Sequence, residues 1–159
     1  MGSGVHEVGK PRGRRLCVSG VASGGHRGDH GINGRHPEDS TVASIVLPFP
    51  TLSLNKLLAL HPMARHRLGK RLEIAIRMLA RDIPPATGKR HLTIERHSSG
   101  TVDKDGLYGG CKPLIDAIKR AGLIVDDSPD HCELEVVQVK IARTETACTV
   151  IRLADLPGQ

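Results

Sequence analysis

The chain has no tryptophan, one tyrosine (Tyr108) and one phenylalanine (Phe49). So few aromatic rings make stacking on unpaired bases a poor mode of nucleic-acid recognition for this chain. No apolar run approaches the roughly 20 residues of a membrane-spanning helix, and no apolar core of the signal-peptide kind stands near the N-terminus. A soluble, cytoplasmic protein with no membrane partner is therefore expected. The four cysteines, Cys17, Cys111, Cys132 and Cys148, form no Cys-x-x-Cys pair and have no zinc-type spacing with histidine. That excludes a sequence-evident zinc site or disulfide framework and points to reduced thiols. Myristoylation is excluded too, because His6 stands where its signal requires Ser or Thr.

What the chain has in excess is basic charge. Lys and Arg number 23 against 17 Asp and Glu, for a formal charge of +6 and an isoelectric point near 9.5. Such a balance favours polyanionic partners, nucleic acid among them. The excess is uneven: residues 1–43 carry six basic and four acidic side chains, residues 44–102 ten and three, and residues 103–159 seven and ten. A phosphate-binding surface beside a carboxylate site produces this asymmetry, and so does an ordinary solvated run of lysines and arginines.

The length is that of one domain with one core. Residues 1–42 are rich in Gly, Ser, His and Arg without helical or strand period. That composition cannot repay the entropy of ordering, so a disordered tail is expected there, with the folded domain over 43–159. The tail holds His26, His30 and His36 and an Arg-Gly-Asp tripeptide; a metal site would need a fold to fix the histidines, and adhesion an extracellular address.

Beyond the tail, "ASIVLPFP" (43–50) predicts a strand stopped by its prolines. In 61–82, Leu68, Leu72, Ala75, Ile76 and Leu79 recur at spacings of three and four, with Arg65, Arg67, Lys70, Arg71 and Arg77 on the remaining faces. This predicts an amphipathic basic helix whose charged face is either solvated or a DNA-backbone contact. "HLTIERH" (91–97) alternates as a strand does. Leu114, Ile115, Ile118 and Ala121 predict a second helix over 112–121, with Pro113 in its first turn and Gly122 at its C-terminal cap. "CELEVVQVKIAR" and "ACTVIRL" predict two more strands, the first with a phase change at Val136-Val137 that marks a bulge. The order β, α, β, α, β, β predicts an α+β class: a compact single domain in which a mixed sheet packs with two main helices.

The acids concentrate in "TVDKDGLYGGCKPLIDAIKRAGLIVDDSPD" (101–130), which holds six aspartates. In extended backbone the carboxylates of Asp103 and Asp105 point to one face, and a chain reversal through the following helix brings Asp126 and Asp127 back towards them. Hard oxygen donors in an open cluster favour Mg²⁺ or Mn²⁺ over zinc. "DKDG" and "DDSPD" are equally ordinary turn sequences, so both readings stand at this point. "GLYGGCK" lacks the Gly-Lys-hydroxyl ending of a phosphate loop. "GLIVDDSP" cannot open a receiver domain, because only 30 residues follow Pro129 (159 − 129).

The segment "DKDGLYGGCKPLIDAIKRAGLIVDDSPD", preceded by "IVLPFPTLSLNK", resembles the RusA-type Holliday-junction resolvases, many of them phage or prophage proteins. The likeness runs from about Ile45 to Arg143. It rests on an Asp-x-Asp pair, a lysine, a helix and an Asp-Asp pair in the same order. The resemblance implies a Mg²⁺-dependent endodeoxyribonuclease, with Asp103, Asp105 and Asp127 as metal ligands and catalytic residues and Lys112 assisting. It also implies branched DNA as the partner and a homodimer that cuts two strands; a DNA-binding protein of the same fold with little or no cleavage is the alternative. Two positions depart from the family pattern. Gly106 stands where Asn commonly follows the second aspartate, and Lys112 lies seven residues after Asp105 where some members place the lysine four after. A loop through "YGG" is expected to restore the lysine's position.

Overall fold

Residues 42–156 are described by a computed structural model, and the expected tail lies outside them except for Val42. The elements in chain order are β1 (Ala43–Leu47), α1 (Leu54–Leu58), α2 (Pro62–Leu79), β2 (Arg90–Ser98), α3 (Lys104–Arg120), β3 (Cys132–Lys140) and β4 (Cys148–Asp155). The strands form one mixed sheet in the order β1-β4-β2-β3, antiparallel except for the parallel β2/β3 pair. A parallel pair needs a crossover, and α3 supplies it.

Alternation sorts the side chains into two faces. Ile45 and Leu47 of β1, Ile151 and Leu153 of β4, Leu92 and Ile94 of β2, and Cys132 and Val136 of β3 are buried in one core with Leu72 and Ile76 of α2 and Leu107, Cys111, Leu114, Ile115 and Ile118 of α3. The opposite face carries polar pairs: Glu95 accepts from Arg152 at 2.8 Å and lies 3.0 Å from His97 Nε2. This division is what a sheet covered by helices on one side requires. Arg90 is buried at the end of the sheet, where its Nε meets Asp155 Oδ1 at 2.5 Å and its Nη1 donates to the Leu123 carbonyl at 2.8 Å.

The α+β class with two long helices is observed, and four details differ from the sequence-based expectation. First, α3 begins at Lys104, not Lys112, so Pro113 lies inside it. A mid-helix proline sacrifices one backbone hydrogen bond, and the burial of Gly106, Leu107, Gly110 and Cys111 ahead of it carries the helix through. Second, the β2/β3 register is unbroken from Arg90 opposite Cys132 to Ser98 opposite Lys140. There is thus no bulge at Val136-Val137; Val137 simply alternates outward. Third, Leu79 is exposed, and it is Ile76 and Ala80, one helical turn apart, that carry the end of α2 into the core. Fourth, the short α1 adds an element that five residues of sequence do not announce.

The expected C-terminal stop of α3 is present. Gly122 has φ 78°, its N–H donates to the Lys119 carbonyl at 2.9 Å, and the Leu123 N–H reaches the Ile118 carbonyl at 3.1 Å. These are the two bonds of a Schellman motif, and they turn the chain into the segment that carries Asp126 and Asp127. Among the described residues no helix is long and apolar enough to cross a membrane.

Candidate active site

The β2–α3 connection delivers the chain to Asp103, which caps α3 in extended backbone. Gln138 of β3 holds that connection from inside the fold. Its Nε2 donates to the Gly100 carbonyl at 2.8 Å, and its Oε1 accepts from the Val102 N–H at 2.9 Å. Asp103, Lys104 and Asp105 are all exposed. A Cβ at Gly106 would lie 2.5 Å from Asp103 Oδ1 and 2.9 Å from Val102 Cγ1. The absence of a side chain at Gly106 is thus what lets the Asp103 carboxylate lean over the first turn of the helix.

Seven residues make almost two helical turns, so Asp105 and Lys112 share one face of α3, about 10 Å apart along the axis. Asp116 and Lys119 continue the same stripe. Moving the lysine from four to seven residues after Asp105 adds nearly one turn, which keeps it on that face. The residues around "YGG" are therefore helix and not the expected loop. Gly109 occupies the nearer position, where a Cβ would come within 2.9 Å of the Leu54 side chain.

Asp126 and Asp127 return along this stripe. Lys112 Nζ pairs with Asp127 Oδ2 and lies 3.3 Å from Asp116 Oδ1. Lys119 Nζ pairs with Asp126 Oδ1 and lies 3.6 Å from Asp127 Oδ1. The Lys119 hydrogen bond, aided by the Asp127 backbone and the Ser128 side chain, pulls the Asp126 carboxyl down to about 2. Asp127 is lowered chiefly by Lys112, and both lysines are raised, each first by its aspartate. Asp116 lies in the second half of α3, against Lys112.

These shifts fix the pH range of the clasp. Depressed carboxylates contribute stability above their ordinary value of 3.8 and lose it as pH falls through the folded value, about 2 for Asp126. Raised lysines contribute below their ordinary value of 10.5 and lose it as pH rises through the folded values. The clasp is therefore complete between about pH 4 and pH 10. In a carboxyl-carbon NMR titration Asp126 is expected to titrate near 2 and, in Lys119→Met, to move back towards 3.8. An unchanged midpoint in the variant would show that Lys119 does not hold it.

The donor set can be tested directly for a divalent cation. Asp103 is the extended residue just ahead of the helix and Asp105 lies in its first turn, so the strand alternation that would put both carboxylates on one face is broken between them. Asp103 leans over Gly106, Asp105 follows the Lys112 stripe, and Asp127 is held by two lysines further along. Among the described residues no group of three or more His, Cys, Asp or Glu side chains is placed to hold a metal ion. The structure brings Lys112 and Asp127 together; it does not gather Asp103, Asp105 and Asp127 into a three-carboxylate seat.

On α2, Arg65, Arg67, Lys70, Arg71 and Arg77 are exposed. Glu73 engages Lys70 at 3.6 Å, Arg77 at 3.3 Å and Arg120 at 3.9 Å. Arg65, Arg67 and Arg71 have no acidic partner among the described residues. Sequence reasoning passed over Gln138 and Arg96, which face each other in the β2/β3 register. Each follows apolar residues on the inward phase of its strand, and a polar side chain there is the signal that was available.

No protein-family model matches the chain, and no curated protein matches it either.

Proposed function

We propose that the chain is a Mg²⁺-dependent endonuclease, with Mn²⁺ as a substitute, that cuts phosphodiesters in branched DNA such as Holliday junctions during recombination and repair. In this reading it acts in the cytoplasm as a homodimer, one site for each of two strands. The observation that carries the reading is the meeting of Lys112 with Asp127, two residues that the resemblance pairs in function, on the helix face that also bears Asp105. The exposed arginines of α2 that have no acidic partner among the described residues supply charge suited to a phosphate backbone.

A second reading, a protein that binds junctions and cuts weakly or not at all, is favoured by one observation. Asp127 is committed to Lys112 and Lys119, and the carboxylates do not converge. Incubation with four-way, forked and linear duplex DNA separates the two. Nicking of the junction in Mg²⁺ supports the nuclease, tight junction binding without nicking supports the second reading, and binding to none of them at low salt overturns both. Sedimentation at micromolar concentration is expected to give a dimer; a monomer that still makes paired cuts would refute that part.

Binding is expected to fall steeply with salt and to vary little with sequence. Replacing Arg65, Arg67 and Arg71 together with Ala is expected to weaken it and to lower the slope of log affinity against log salt by about 2–3. An unchanged slope would make the basic face of α2 a solvated surface only.

A further inference from the structure

At the carboxyl ends of the parallel strands β2 and β3, next to the capping Asp103, lies a cavity of about 250 Å³. Its walls come from the segment after β1 and from the β2–α3 connection, and its polar lining includes Thr51, Ser53, Lys56, Arg96 and Thr101. That volume is on the order of eight times a water's share of the liquid, enough for a phosphate group with part of its hydration.

The charge in this cavity is uncompensated. Arg96 donates from Nε to the Thr51 carbonyl at 3.0 Å, and from Nη1 to Ser98 Oγ and to the Gly100 carbonyl at 3.3 Å. These bonds fix the guanidinium, and among the described residues its Nη2 has no hydrogen-bond partner. Neither Arg96 nor Lys56 forms an ion pair with a described residue. Burial draws the Arg96 pKa below the ordinary guanidinium value, as expected of a cation partly removed from water with no counter-charge. The cavity wall is also braced. Thr149 Oγ1, fully buried, accepts from the Thr51 N–H at 3.1 Å and donates to the Phe49 carbonyl at 2.9 Å. A fixed planar donor fork, a mobile ammonium and three hydroxyls around one void match the oxygens of a phosphate.

We propose that this cavity is a subsite for one phosphate of the DNA backbone, with Arg96 as its anchor and Lys56 as its second charge, placed to hold the strand against the Asp103 end of α3. The role assigned to the strand rests on the nuclease reading; the phosphate site itself does not.

The test is amide NMR in EDTA with the full chain and three probes: inorganic phosphate, a short duplex and a four-way junction. Both DNA probes are expected to shift the amides of Ser53, Lys56 and Thr101. Lys56→Ala is expected to weaken junction affinity about 5-fold and lower the salt slope by about 1. Arg96→Lys, which keeps the charge but loses the fork, is expected to weaken affinity at least as much. Should Arg96→Lys disturb the fold through its carbonyl bonds, the exposed Lys56 decides alone. Saturation by DNA with these amides unmoved, or parental affinity in Lys56→Ala, overturns the subsite. A response to inorganic phosphate but not to DNA overturns it as a backbone site. Shifts and weakened binding without cleavage in Mg²⁺ leave the subsite standing and overturn only the nuclease.

Discussion

Asp103→Asn, Asp105→Asn and Asp127→Asn are each expected to reduce Mg²⁺-dependent cleavage of a synthetic four-way junction by at least about 100-fold, with the fold unchanged. The fold should survive for reasons specific to each position. Asp103 is exposed and its side chain makes no capping hydrogen bond, and Asn is as well tolerated as Asp at a helix N-cap, so position 103 keeps its backbone at the start of α3. Asp105 is exposed, and Asp127 loses only partly exposed ion pairs of the kind that contribute about 0–1 kcal/mol. Junction binding in EDTA is expected to persist or tighten, since each change removes a negative charge that repels the phosphate backbone. Asp116→Asn is not a silent comparison, because Asp116 shares Lys112 with Asp127. Asp82, exposed and paired among the described residues only with its neighbour Arg81, is the suitable one, and Asp82→Asn is expected to cut like the parent. If Asp103→Asn and Asp127→Asn also cut like the parent, the acids are turn and cap residues and the nuclease reading fails.

Gly110→Ala is expected to destabilise the domain by about 3 kcal/mol, seen as a fall in Tm of roughly 10 °C or more by circular dichroism. The added Cβ would lie 1.9 Å from the Leu52 carbonyl oxygen and 3.1 Å from the Ser53 carbonyl carbon. These are backbone atoms, so no rotamer change relieves the clash, and α3 must move away from the 51–54 segment. The roughly 1 kcal/mol by which Ala outranks Gly in a helix is too small to compensate. Gly69 of α2 supplies the contrast: its nearest neighbour is the Arg120 guanidinium at 4.0 Å, and Gly69→Ala is expected to stabilise by up to about 1 kcal/mol. Equal stability of the two alanine variants would show that α3 does not pack this closely.

The same close approach explains why the start of α3 was illegible from the residues. Gly106, Gly109, Gly110 and Pro113 all read locally as breakers, and glycine is favoured at 110 only because the Leu52 carbonyl comes from another part of the chain to lie against it. The site inherits the error. With Asp103 and Asp105 both in extended backbone the two carboxylates would share a face; with the helix starting between them that alternation is lost.

What the sequence by itself determined is whatever its own periodicity carries: the alternation that places Leu92 and Ile94 in the core, the spacing of four that joins Leu68, Leu72 and Ile76, and the helix stop at Gly122. The cationic character of α2 and the acidity of the final third were equally legible, since charge is written residue by residue. Only the tertiary structure decided which of these groups meet. The pairing of Lys112 with Asp127, the Gln138 hold on the β2–α3 connection and the Thr51–Thr149 brace join residues from 15 to 98 positions apart. Such contacts depend on how the α3 crossover lies on the sheet and on space left by missing side chains, and neither is encoded in any local pattern.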